Sequence, residues 1–116
     1  MTSPERRCRS LWQQIVVKRD GGCCWCGNPL ASGHHALGRK NGVAFEHETG
    51  IALCVSCHAL AHANPQYAKD MLRDKIGQER YDQLAWLSGQ VVRLRAKDYR
   101  EIADWLAETL AEIGGK

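Results

Sequence analysis

Long apolar runs are missing from this chain of 116 residues, and no stretch approaches the ~20 consecutive apolar side chains that a membrane-spanning helix requires. The opening stretch MTSPERRCRS lacks the apolar centre of an export signal, so the expected location is the cytoplasm, with no membrane partner. Internal repeats and low-complexity tracts are also missing, and a net charge of only +3 is a weak pull on an anionic partner. A quarter of the residues are charged, and the length is close to the ~100–150 residues of one domain. Residues 1–116 are therefore expected to form a single soluble domain.

Cysteine and histidine are concentrated rather than scattered. All five histidines and five of the six cysteines lie between Cys23 and His62. Cys23 and Cys26 form one C-x2-C knuckle and Cys54 and Cys57 a second, together the four thiolates that structural zinc prefers. With no export signal, this spacing favours a metal site over a disulfide framework. Cys24 lies inside the first knuckle and could compete as a ligand, although it sits one residue too close to Cys26. Cys8 falls on the apolar face of a helix and reads as a small core residue. Between the knuckles stand His34 and His35; just past the second come His58 and His62, at i and i+4 and so on one helix face. A closed four-cysteine site has no free coordination position, whereas His34, His58 and His62 would leave room for oxygen ligands and water. Neighbours in an extended segment face opposite ways, so His34 can face a metal while His35 faces a substrate.

The flanks read as helices. Residues 4–19 have Ser3 as N-cap, Pro4 at the first helical position and a stripe of Cys8, Leu11, Trp12, Ile15 and Val16, ended by Asp20-Gly21-Gly22. From Ser32 to Leu53, glycine at 33, 38, 42 and 50 is too frequent for a helix and suits a short β-hairpin with a basic loop at residues 39–42. Ile51-Ala52-Leu53 is its second strand, and Val55 to Ala63 then turns helical. Asn64 and Pro65 read as the cap and first residue of a further helix that Gly77 stops. Another runs from about Glu79 to Leu94 on Tyr81, Leu84, Leu87 and Val91. The last begins with Asp98 as N-cap and Glu101 as capping-box partner, and buries Ile102, Trp105, Leu106, Leu110 and Ile113. Trp12, Trp86 and Trp105 are expected as core anchors. The expected class is α+β: an N-terminal helix (4–19), a zinc-stapled core (23–62) and a helical C-terminal extension (64–113).

Charge is unevenly placed. Residues 1–45 carry seven basic side chains, Arg6, Arg7, Arg9, Lys18, Arg19, Arg39 and Lys40, against Glu5 and Asp20, a net +5 that leaves −2 for the rest. A basic half containing the histidine pair suits a phosphate backbone, with solvated helix faces as the plain alternative. Arg39 and Lys40, on the hairpin loop, are the expected DNA contacts. His47 has no partner spacing and is expected to be exposed, with Glu46 and Glu48 solvated beside it.

His34-His35, the Gly/Arg-rich loop and the run Gly50-Ile51-Ala52-Leu53-Cys54-Val55-Ser56-Cys57-His58 with His62 resemble the HNH endonucleases of the ββα-metal (His-Me finger) class. The resemblance is to small phage and prophage proteins whose catalytic hairpin is pinned by a four-cysteine zinc, and it covers roughly residues 10–90. The tail from Asn64 to Leu84 has a weaker similarity to phage recombination endonucleases of the NinG kind. The resemblance implies a ββα-metal finger with structural Zn2+ on Cys23, Cys26, Cys54 and Cys57. It further implies catalytic Mg2+ or Mn2+, or another divalent transition metal, on His34, His58 and His62, with His35 as general base. Thr49 falls where the family carries the asparagine that holds the loop; Asn41, His47 and Glu48 are alternative loop anchors.

The function so implied is metal-dependent hydrolysis of DNA phosphodiester bonds, with His35 taking a proton from water and products bearing 5′ phosphate and 3′ hydroxyl ends. The alternative is a zinc-stabilised DNA-binding module or adaptor with a degenerate nuclease motif, which Thr49 in place of asparagine favours. The apolar C-terminal helices leave room for a homodimer.

Overall fold

The structure, a computed structural model, describes residues 3–114. Helix α1 (Pro4–Asp20) starts where the Ser3 hydroxyl accepts the Arg6 N–H, and ends at Gly21 in a left-handed conformation whose N–H bonds back to Val17. It buries Cys8, Trp12, Ile15 and Val16, most of the expected stripe. The first knuckle is a tight turn closed by bonds from the Cys23 N–H to the Asn28 carbonyl and from the Gly27 N–H to the Cys23 carbonyl.

Strands β1 (Ser32–His35) and β2 (Gly50–Leu53) pair antiparallel, with Gly33 opposite Ala52, His34 opposite Ile51 and His35 opposite Gly50. A lone two-stranded ribbon is marginal in water, and here both outer edges are filled by other groups. Along β1, the Gln13 side-chain amide donates to the Gly33 carbonyl at 3.0 Å and accepts the Gly33 N–H at 2.7 Å. Along β2, the Ala52 carbonyl accepts the Cys24 N–H at 2.8 Å and the Ala52 N–H donates to the Asp20 carboxylate at 2.9 Å. That carboxylate, only 3 % exposed, also accepts bonds from Arg19, the Cys24 thiol and Lys75. One side chain thus joins α1, β2, the first knuckle and the helix that carries Lys75.

The connection between the strands is more built than a basic hairpin loop. It folds into two 3-10 turns, Asn41–Val43 and His47–Thr49, and the Gly42 N–H donates to the Gln90 carbonyl at 3.0 Å. The chain then continues as α2 (Val55–Ala63), α3 (Pro65–Ile76), α4 (Gln78–Ser88) and α5 (Ala96–Gly114). The class is α+β, with five α-helices around a two-stranded antiparallel sheet among the described residues.

Four expectations about the helices are corrected. Asn64 precedes α3, but its side chain makes no capping bond. Helix α4 stops at Ser88 rather than near Leu94, because the Gly89 and Gln90 N–H groups close a final turn onto Trp86 and Leu87 and leave Val91 82 % exposed. Helix α5 starts earlier than Asp98: the Asp98 carboxylate accepts the Arg95 N–H at 2.9 Å, so Asp98 is the reaching-back member of the cap and Arg95 holds the cap position. Of the three expected tryptophan anchors only Trp12 is buried, while Trp86 is 66 % and Trp105 42 % exposed. Trp86 lies two positions from the buried Leu84, about 200° around the helix, and so faces outward.

One core packs β2, α2 and α3 through Ile51, Leu53, Ala61, Ala68 and Leu72. A second lies between α1 and α5 and is built on Cys8, Ile15, Ala103 and Leu106. Trp12, Val16 and Ala52 join helix α1 to the sheet. No helix among the described residues is long and apolar enough to cross a membrane.

Candidate functional site

Two ligand clusters form among the described residues, and they contain every metal ligand the sequence suggested. In the first, Cys23 and Cys26 come from the turn after α1, Cys54 from the end of β2 and Cys57 from the first turn of α2; their sulfurs all lie within 4.8 Å of one another. The Cys26 and Cys54 sulfurs are 3.6 Å apart. Thiolates bound to zinc at ~2.3 Å sit roughly 3.8 Å apart along a tetrahedral edge, so the spacing fits such an ion. Burial opposes ionisation of Cys23, but N–H groups from Cys26, Cys54 and Trp25 outweigh it and lower its pKa to about 6. Burial and the neighbouring sulfurs push Cys57 up to about 12. Four thiols this close compete for charge, and a central divalent cation is what allows all four to ionise. The donor set therefore fits a structural metal such as zinc. Cys24 is outside it, its thiol turned to Asp20 at 3.2 Å.

The second cluster joins β1 to α2. His34, 9 % exposed, meets His58 and His62 with ring centroids 4.8 and 5.1 Å away, and the His58 and His62 rings are 4.8 Å apart. Their ligand nitrogens all lie within 4.8 Å of one another. An ion held at about 2.1 Å by each spans nitrogens up to about 4.2 Å apart, so small ring rotations close the set. Burial, followed by the nearby His58 and His62, lowers the His34 pKa to about 4, and burial with His62 lowers that of His58. Both are then neutral at pH 7 with lone pairs available, as a metal ligand requires.

His35 has a different neighbourhood from His34. Its ring stacks flat on Trp12, centroids 3.8 Å apart at 4°, and its Nδ1 is buried without a hydrogen-bond partner. Burial, then Arg39, lowers its pKa to about 4. It lines a groove of about 470 Å3 together with Arg39 and Lys40, as expected, and with Arg9, which charge counting did not single out. Arg9 was findable: it is three and four residues before Trp12 and Gln13 and so shares the helix face turned to the hairpin. Arg7 and Arg19 leave the expected phosphate face. Arg7 pairs with Asp104 at 3.3 Å, and Arg19 bonds Asp20 and the carbonyls of His47 and Gly50.

Thr49 is fully buried and pins the loop before β2. Its hydroxyl and N–H both donate to the Glu46 carbonyl, at 2.8 and 3.2 Å, and its own carbonyl accepts the Ala36 N–H at 3.1 Å. The Trp12 indole N–H donates to the same Glu46 carbonyl at 3.1 Å. The Asn41 side chain lies outside the described residues. His47 and Glu48 are not solvated as expected. His47 packs against Trp105, ring centroids 5.4 Å apart, with its Nδ1 buried, and Glu48 holds Arg80 of α4 in a two-pronged ion pair at 2.5 and 3.1 Å. Both are drawn inward because the loop docks on α4 and α5.

No family model, curated protein or solved structure matches this chain.

Proposed function

We propose that the protein is a metal-dependent endonuclease of the HNH type, with β1, β2 and α2 as its ββα-metal finger, similar to those of small phage and prophage nucleases. The observation that carries this reading is the convergence of His34 with His58 and His62, an open three-nitrogen set, on a hairpin whose next residue, His35, lines a groove with Arg9, Arg39 and Lys40. The four cysteines tie the end of β2 to α2, which fixes His58 relative to His34.

In this reading His34, His58 and His62 would hold a divalent ion, Mn2+ or another transition metal suiting three imidazole nitrogens better than Mg2+ does. Such an ion supplies positive charge to the scissile phosphate and its leaving 3′ oxygen. Arg39 and Lys40 hold flanking phosphates as point charges. His35, neutral at pH 7, takes the proton of the attacking water, and Trp12 fixes the plane of its ring. Thr49 holds the loop in place of an asparagine.

Supercoiled plasmid incubated with the protein and Mg2+ or Mn2+ should turn into nicked or linear forms, and a chelator should stop it. Intact plasmid, together with intact single-stranded and gapped DNA, under every divalent ion would refute the nuclease reading. One observation favours a second reading, a zinc-stabilised DNA-binding adaptor: no group among the described residues bonds Nδ1 of His35, whereas an acting general base is ordinarily held through its second nitrogen. That adaptor would bind the plasmid and leave it intact.

A further inference from the structure

The groove at His35 has two kinds of lining. His35, Arg39 and Lys40 supply the polar part, together with Arg9, whose guanidinium is held by Glu5 at 2.6 Å. The apolar part is Phe45 from the loop, Val92 and Leu94 from the segment after α4, which share a neighbouring hollow with Phe45, and Tyr99 from the first turn of α5. The Phe45 and Tyr99 rings meet edge to face at 5.9 Å and 80°. Four parts of the chain therefore wall the cavity, and its volume of about 470 Å3 is that of a small-molecule site.

A continuous duplex does not match this shape. Its phosphates line the outside while its bases are stacked inward, so a duplex phosphate brought to His35 would leave the apolar wall facing water or charge. An unpaired strand presents phosphate and a free base face together. Glu5 offsets the charge of Arg9, so the attraction for phosphate falls to Arg39 and Lys40 and the aromatic rings are left for the base.

From this we infer that the groove takes an unpaired nucleotide, so that the preferred DNA is single-stranded, gapped or flapped rather than continuous duplex. The inference rests on the nuclease reading for its chemistry but on the groove alone for its ligand. Base stacking on an aromatic ring corresponds to roughly a 5- to 150-fold change in Kd per base.

Fluorescence anisotropy without added Mg2+ or Mn2+, at one salt concentration, tests it with the full chain and a labelled oligonucleotide of about 16 nucleotides. The single strand and a gapped duplex should bind at least tenfold tighter than the blunt duplex of the same sequence. Tyr99→Leu should weaken single-strand binding 5-fold or more with no change for duplex, while Tyr99→Phe, which keeps the ring and controls for folding, should bind as the parent does. Equal or tighter duplex binding, or parental single-strand binding by Tyr99→Leu, overturns the inference. Cutting assays on the plasmid and on the single-stranded and gapped oligonucleotides separate the two claims. Metal-dependent cutting without single-strand preference sinks this inference alone; single-strand preference with no cutting on any DNA sinks the nuclease reading and upholds the groove.

Discussion

Replacing Gly50 by alanine tests the contact on which both the hairpin and His35 depend. Gly50 has ordinary extended backbone, φ −89° and ψ 140°, so alanine meets no conformational penalty. It should even gain ~0.4–1 kcal/mol by restricting the unfolded chain. Space decides the other way. The new β-carbon would lie 2.5 Å from Cγ2 of Val16 and 2.7 and 2.9 Å from Cζ2 and Cη2 of Trp12. Both side chains are buried, and the indole is held by its bond to Glu46 and its stack on His35, so neither can swing aside. Overpacking of this kind costs ~1–3 kcal/mol, and a contact as short as 2.5 Å belongs in the upper half of that range, which leaves a net loss of roughly 1–2.6 kcal/mol. Gly33→Ala should cost less, because only Trp12 Cζ3 lies under 3.0 Å, at 2.7 Å, and the next contacts, with the Gln13 amide, are at 3.1 and 3.3 Å. Urea denaturation followed by tryptophan fluorescence reads the difference as a lower midpoint at unchanged slope. A Gly50→Ala protein as stable as the parent would refute the claim that the sheet is packed face-on against Trp12.

Metal analysis should find one tightly held zinc per chain, lost in Cys57→Ser and retained in Cys24→Ser. Because structural zinc contributes ~10–16 kcal/mol of apparent binding energy, hydrogen exchange should show residues 23–62 unprotected in Cys57→Ser, and parental protection of that segment in the variant would rule out the four-sulfur site. His35→Ala should cut DNA ~10²–10⁴ times more slowly with its zinc intact, and parental cutting would exclude the base role. Asp20 carries a pH signature: burial opposes its charge, but bonds from Arg19, Lys75 and the Ala52 N–H outweigh burial and hold its carboxyl well below the usual range. A depressed folded-state pKa gives stability that is present above the unfolded value of 3.8 and is lost as pH falls below it. Asp20→Asn should therefore be ~3 kcal/mol less stable at neutral pH and flatter in acid, and an acid-unfolding profile like the parent's would count against the clamp.

Helix α1 was legible because its cap, its proline, its apolar stripe and its terminal glycine all agree. The pieces of the ligand clusters were legible because their spacing is local: three positions from cysteine to cysteine in each knuckle and four from His58 to His62 along α2. Where the reading failed, tertiary approach had replaced local pattern. Val91 continues the period of Leu84 and Leu87, but the turn at Gly89 takes it off the helix. Charge counting treated Arg19 as a free cation, while the fold uses it to hold two loop carbonyls. The Glu48 to Arg80 pair and the Asp20 to Lys75 pair join residues 32 and 55 positions apart, and no periodicity announces such partners.

The two sides of β1 explain why so small a sheet is so heavily supported. Strand alternation separates His34, gathered with His58 and His62, from His35, stacked on Trp12. A slip of one residue in the pairing would exchange the two rings and destroy both environments. The rung that prevents this is Gly33 with Ala52. Gln13 grips it through both backbone groups of Gly33, and Cys24 and Asp20 grip it through both backbone groups of Ala52. A two-stranded ribbon is thereby given the hydrogen-bonding of a wider sheet at the one position that sets its register. Because Cys24 lies between Cys23 and Cys26, the ion that the cysteines fit would stiffen that grip from outside, and the register of the histidines would depend on a metal they do not touch.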